Sequence, residues 1–198
     1  MLCQVCGQEA LENHSCPAAT PPPGFAVGYY LSKAWRIVRW NDDAIRDVMN
    51  DPRALRYGLL VWIATNTLSV LAVLFFWPQQ RATIPIAAIP IVVVIALIYL
   101  AVLSLIQLGI VHLIAKYFCG GNGKFVQILR PLLLVSFVYI LHVIPVAGAL
   151  IAGLAWVCVM VMVFDVVDEM DQLTCFLVSA AVGIALRFVT GGLFHSPF

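Results

Sequence analysis

Three cysteines and a histidine stand in the opening stretch MLCQVCGQEALENHSC: Cys3, Cys6, His14 and Cys16. A Cys-x-x-Cys pair followed by Gly7 makes a tight turn whose amide N–H groups point at the thiolates. Zinc takes four ligands in a tetrahedron, and thiolates with a neutral imidazole suit it. Cys3, Cys6 and Cys16 supply three, and His14 is the candidate fourth. The usual ribbon ends in a second Cys-x-x-Cys pair, whereas here Pro17 and Ala18 follow Cys16. Two alternatives stand beside this site: ligands shared between two copies of the chain, and a tail whose cysteines remain reduced thiols. No general base accompanies the ligands in a pocket-forming fold, so the zinc is expected to be structural and not catalytic.

A second constellation is FDVVDEMDQL, which carries Asp165, Asp168, Glu169 and Asp171. On a helix Asp165, Asp168 and Glu169 share a face at i, i+3 and i+4. Basic Lys116, Lys124 and Arg130 are expected at the same end of the molecule. One reading is a salt-bridge patch tying two loops together. The other is a site for a cation or a partner, with Asp165 the deepest member. A third stretch, CGGNGKF, resembles a phosphate cradle but lacks the Gly-Lys-Ser/Thr ending and a preceding strand. Nucleotide binding is therefore excluded, and a flexible turn suffices. His112 and His142 lie in apolar runs, where a lone histidine is most often an interhelical hydrogen-bonding contact. With no Ser-His-Asp set, HExxH motif or intramembrane Gly-Asp motif, nothing argues for an enzyme.

The elements that carry these residues are apolar. Of 198 residues, 63% are hydrophobic and 11% charged, against about 25% charged in soluble domains. The mean hydropathy is +0.99, that of a multi-pass membrane protein. A net charge of +1 points to no nucleic acid. The first residues have neither the basic start nor the apolar core of a secretory signal. That end is expected in the cytoplasm, where thiols stay reduced. Cys158 and Cys175 are expected to be small core residues, and Cys119 to sit at a membrane edge.

Four segments follow in order. Residues 1–16 form the zinc knuckle, and residues 17–24, PAATPPPG, a stiff extended linker. Residues 25–53 read as one amphipathic helix lying in the membrane interface, with Tyr29, Trp35 and Trp40 near its boundary. Its apolar face carries Val27, Tyr30, Leu31, Ala34, Val38, Ile45, Val48 and Met49. Lys33, Arg36, Arg39, Asp43, Arg46 and Asp47 face the other way. Residues 54–198 form the membrane domain. A crossing needs about 20 apolar residues. Spans are expected at about 55–77, 85–117 (kinked by Pro90), 128–144, 146–167 and 173–193. A tight hairpin at Pro145 and Gly148 joins the third to the fourth. Basic residues gather on the cytoplasmic side of membranes. With the N-terminus inside, nine of the eleven Lys and Arg residues are inside; Arg81 is outside and Arg187 lies in the last span. Five spans put GGLFHSPF outside.

The stretch HLIAKYFCGGNGKFVQILRPLLLVSFVYILHVIPVAGALIAGLAWV resembles the Yip-one domain family, the Ypt-interacting membrane proteins. A glycine-rich loop with a phenylalanine precedes a basic residue there. A span then ends in Ile-Pro and a glycine, before a Trp-containing span. Gly120, Gly121, Gly123, Phe125, Arg130, Ile144, Pro145, Gly148 and Trp156 stand at those places. The resemblance covers roughly residues 50–195, and it implies five spans, a cytoplasmic N-terminus and no enzymatic activity. Prokaryotic members can carry a zinc-ribbon-like segment in front. The family pattern has a small-residue or His-Gly-like segment where this chain has DVVDEMDQLTC, so no role is carried over for that loop. Eukaryotic relatives act in vesicle traffic and organelle shape and bind prenylated Rab-type GTPases. In a prokaryotic cytoplasmic membrane only the membrane-organising role transfers.

The expectation is an all-α polytopic membrane protein: five transmembrane helices preceded by an interfacial amphipathic helix and a small N-terminal zinc knuckle. Its partners are the lipid bilayer and another membrane or cytoplasmic protein or a second copy, with no nucleic acid and no nucleotide. The role is non-enzymatic organisation or scaffolding. The rival is a small transporter or channel using Asp165–Asp171 for a cation or proton. Sixteen residues cannot build a core, so metal must supply the knuckle's folding energy. Protein purified without chelator is expected to carry about one zinc per chain. Elemental analysis checks this, because Cys3→Ser should lose the metal.

Overall fold

The computed structural model describes residues 26–76, 84–144 and 147–193. The zinc ligands Cys3, Cys6, His14 and Cys16, the 17–24 linker, the turn around Arg81, Pro145 and the C-terminal tail lie outside the described residues. Helices occupy the described chain: α1 Val27–Val38, α2 Asp42–Asn50, α3 Pro52–Phe76, α4 Ile89–Phe118, α5 Phe125–Val135, α6 Gly148–Asp168 and α7 Gln172–Leu193. A short 3-10 turn, Ile86–Ala88, leads into α4, and a long one, Ser136–Val143, continues α5.

The apolar helices fall close to the segments expected from hydropathy. Pro52–Phe75, Ile86–Phe118 and Leu150–Asp168 are long and apolar enough to cross a membrane. Phe125–Leu141 and Gln172–Leu186 are apolar but shorter. The chain is therefore an all-helical protein with membrane-type helices. Pro90 does not kink α4; it occupies the first turn, where its missing N–H breaks no bond. Gly148 makes the hairpin tight, since a Cβ there would lie 2.1 Å from the Leu141 carbonyl oxygen.

The single amphipathic helix expected over residues 25–53 is two helices. Trp40 sits at φ 63° between them, a left-handed conformation rare for a bulky residue. Asn41 starts α2, its Oδ1 accepting the Ala44 N–H at 2.9 Å, which is the preferred N-cap chemistry. The buried face also differs from a free interfacial helix. Tyr30, Ala34, Ile37, Ala44, Ile45 and Val48 are in the core, against α5 and α6. Polar ties fix the pair. The Lys33 ammonium pairs with Asp47, so Lys33 belongs to the buried face and not to the solvated one. Tyr30 donates its hydroxyl to Asp51 Oδ2 at 2.6 Å. Burial, then that bond, pushes the phenol well above its ordinary range, so it remains a donor. Leu31, Trp35 and Trp40 form an exposed apolar strip, and the Arg39 guanidinium lies 5.2 Å from the Trp35 ring.

α6 is central and α4 peripheral. Half of the apolar window of α6 is buried and none of that of α4. Cys175 is buried as expected, but Cys158 is exposed on the outer face of α6. α3 packs along α5 and its 3-10 continuation. Gly58 lets the backbones close, because a Cβ there would lie 2.8 Å from Leu133 Cβ and 3.1 Å from Leu134 N. Small residues are how apolar helices approach. Gly58→Ala should lower stability by about 1–3 kcal/mol, read as melting temperature in detergent. Gly109→Ala, where a Cβ meets nothing within 4 Å, should be neutral or stabilising by up to about 1 kcal/mol.

Candidate functional site

The buried member of the acidic cluster is Asp168, not Asp165. Asp168 continues the buried stripe of α6 through Met160 and Phe164, at helical i+4 spacing. Its side chain is fully buried, and two donors hold its oxygens. His112 Nδ1 lies 3.1 Å from Oδ2, and the Gly123 backbone N–H donates to Oδ1 at 2.9 Å. A buried carboxylate without such partners would be prohibitive. An ionised carboxylate only accepts, so it fixes the Nδ1–H tautomer of His112. The Phe125 ring covers the imidazole at 5.8 Å between centroids.

The glycine loop exists for this contact. A Cβ on Gly123 would stand 2.4 Å from Asp168 Oδ1 and 2.7 Å from Val167 Cγ1. One on Gly121 would stand 3.0 Å from Asp168 Cβ. Gly120 has φ +76°, which glycine adopts at no steric cost. It lets the chain leave α4 while the Gly121 N–H caps the Ala115 carbonyl at 3.0 Å. CGGNGKF is thus neither a phosphate cradle nor a slack turn; it is a fitted backbone cap on a carboxylate.

The other charged residues disperse. Glu169 does not share the helix face: it leaves α6 in a left-handed conformation at φ 54° and is exposed. Asp165 Oδ2 accepts from Gln172 Nε2 at 2.6 Å. Asp171 caps α7, its Oδ2 accepting the Thr174 N–H at 3.0 Å. Lys116 and Lys124 are exposed. Arg130 points to α2, Nη1 donating to the Met49 carbonyl at 2.6 Å, where a helix C-terminus offers unpaired carbonyls. The ion pair among the described residues is Lys33–Asp47, and Asp168 is held by His112 and Gly123, so the patch expected between these acidic and basic residues is not built. Nor, among the described residues, do three or more His, Cys, Asp or Glu side chains converge to hold a metal.

The decisive pairing joins two residues that sequence reasoning treated separately. His112 stood out as an interhelical contact without an assigned partner. Its partner was legible as the acidic residue on the Met160–Phe164 stripe. Of the resembling positions, Gly120, Gly121, Gly123 and Phe125 gather at this node, while Gly148 serves the hairpin at the far end of α6. A hollow of about 590 Å³ lies between α3, α4 and α7, and among the described residues none of Asp165, Asp168, Glu169 and Asp171 lines it.

Comparison of the chain with protein-family models, with curated proteins and with solved structures finds no match. The site must therefore be read from its own geometry. Asp168→Asn keeps the shape but weakens a charge-assisted acceptor, and should cost about 1.5–3 kcal/mol of stability. Combining it with His112→Ala should cost less than the sum of the two losses, as measured by melting in detergent.

Proposed function

We propose that this chain is a non-enzymatic multi-pass membrane protein with an organising or scaffolding role. All five apolar helices cross the bilayer, and the first residues lie in the cytoplasm. The zinc knuckle of Cys3, Cys6, His14 and Cys16 is a small rigid handle for another protein or a second copy. Its donor set, three thiolates and an imidazole, fits structural zinc. The reading keeps the membrane-organising role implied by the Yip-one resemblance.

The observation that carries the proposal is the sealing of Asp168. The rival conduit through the acidic cluster needs a carboxylate that exchanges ions or protons with water, and this one is closed off by Gly121, Gly123 and His112. The α1–α2 pair supports the same reading. Lys33–Asp47 and Tyr30–Asp51 tie its two helices together, Arg130–Met49 holds it to the bundle end, and it exposes Leu31, Trp35 and Trp40. Tryptophan beside arginine is the composition of a membrane-interface anchor. The hollow between α3, α4 and α7, with Asn66, Ser104 and Gln107 in its wall, favours the rival, transport, because transporters bind their substrates in cavities between helices.

Vesicles containing the purified full chain distinguish the two. The scaffold reading expects proton, sodium and potassium fluxes no faster than in protein-free vesicles. It also expects cross-linked oligomers or partner adducts through the first sixteen residues that disappear in Cys3→Ser. Flux abolished by Asp165→Asn or Asp168→Asn, with melting temperature retained, would overturn it.

A further inference from the structure

The outward face of α1 grades from apolar to basic. At about 100° per residue, Leu31, Trp35, Arg39, Ser32 and Arg36 follow one another around about 140° of the helix, and each is exposed. α1 carries no acidic residue. Its apolar flank adjoins the bundle, because the Trp35 and Phe137 ring centroids lie 6.4 Å apart and Phe137 belongs to an apolar helix. Ile140, one 3-10 turn further along the same row, is 45% exposed. The face is thus continuous with apolar bundle surface on one flank and basic on the other.

The two arginines of that flank are held but not neutralised. The Arg39 guanidinium lies over the Trp35 ring. Arg36 donates through Nη2 to Asn41 Oδ1 at 3.2 Å, which leaves most of its N–H donors to solvent. Among the described residues neither arginine forms an ion pair. Lys33, on the buried side, already has Asp47. The exposed acids nearest in sequence, Asp42 and Asp43, stand in the first turn of α2, where helix N–H groups favour negative charge. Two guanidinium groups three residues apart on one face suit the oxygens of a phosphate, which arginine takes two at a time.

Trp40 makes an independent case. Its φ of 63° is the left-handed conformation in which glycine or asparagine ordinarily ends a helix, and a bulky residue there is strained. The bundle does not bury it, since it is 57% exposed. Neither backbone preference nor core packing accounts for a tryptophan at this position. Burial of the indole among lipid headgroups does, because that is where tryptophan gathers in membrane proteins.

We propose that this face of α1 binds anionic phospholipids of the bilayer that the chain itself crosses. Arg36 and Arg39 take the phosphate, and Leu31, Trp35 and Trp40 lie at the boundary of headgroups and acyl chains. An acidic protein would satisfy the arginines but would leave unexplained the continuity of Leu31 and Trp35 with the apolar side of the bundle. The site rests on the membrane reading above and not on the scaffolding role or the zinc knuckle.

The test uses the full chain in a neutral detergent, with phosphatidylglycerol or phosphatidylcholine of identical tails added and melting temperature as the readout. A ligand of the folded state raises that temperature as it occupies its site. Phosphatidylglycerol should act at concentrations at least tenfold lower than phosphatidylcholine. The double variant Arg36→Gln, Arg39→Gln should need at least tenfold more of it, while Arg53→Gln with Arg56→Gln, which removes as much charge, should respond as the wild type does. Should the first variant fail to fold, Trp35→Ala, which removes the ring under Arg39, should need at least threefold more. Equal responses to the two lipids, or equal losses in the two charge variants, overturn the proposal. Poly-glutamate that stabilises the chain as strongly as phosphatidylglycerol at equal charge makes the face a site for acidic protein and also overturns it. Alkaline washing of cell membranes reports the crossing helices separately: a wild-type chain that washes off refutes the membrane reading and the site with it, whereas one that stays but shows no lipid preference refutes the site alone.

Discussion

A single carboxylate, that of Asp168, sets the terms for the end of the bundle where four chain segments meet. Taking an ionised group out of water is tolerable only if hydrogen bonds replace hydration. The fold supplies them from two directions, the His112 ring on α4 and the Gly123 amide in the loop after it. Both demands propagate. The loop must approach within van der Waals distance of Asp168, so Gly121 and Gly123 cannot carry side chains. The loop position fixes the start of α5, which in turn seats Arg130 against the last turn of α2. The α1–α2 pair thereby inherits its orientation from a charge on a different helix.

The parts legible in the sequence were those governed by hydrophobicity alone. Long apolar runs had to be helices, and the uncharged stretch between Pro131 and Asp165 had to fold back on itself. What hydropathy could not assign was partner choice. Electrostatics on paper gave Lys116, Lys124 and Arg130 to the acidic cluster, since opposite charges at one end of a molecule attract. Exposed pairs of that kind gain little. The buried position instead selected an imidazole and a backbone amide, groups that can be desolvated more cheaply than a lysine. Arg130 found a helix C-terminus, where carbonyls needing donors are already assembled.

The break between α1 and α2 was missed for a different reason. Amphipathic periodicity runs through residues 25–53 nearly uninterrupted, because both helices bury a face against the same neighbours. The signal was local: Asn41 followed by Asp42 and Asp43 is a helix start, with acidic residues in the first turn. Trp40 accepts a strained backbone conformation, so the interruption is held by its surroundings and not by its own preference.

The 3-10 continuation of α5 bears on how thick a layer the chain can traverse. A 3-10 helix advances about 2.0 Å per residue where an α-helix advances about 1.5 Å. Ser136–Val143 is therefore stretched relative to ordinary helix. The nineteen residues from Phe125 to Val143 extend about 32 Å instead of about 28 Å, the full depth of a hydrocarbon core. Overwinding half of this helix gives a segment of few residues the length of an ordinary hydrocarbon core. The extension carries a backbone cost: carbonyls in the looser ladder need help, and the Ser69 hydroxyl on α3 provides it at Tyr139. The length of this segment is thus set by backbone pitch as well as by residue number.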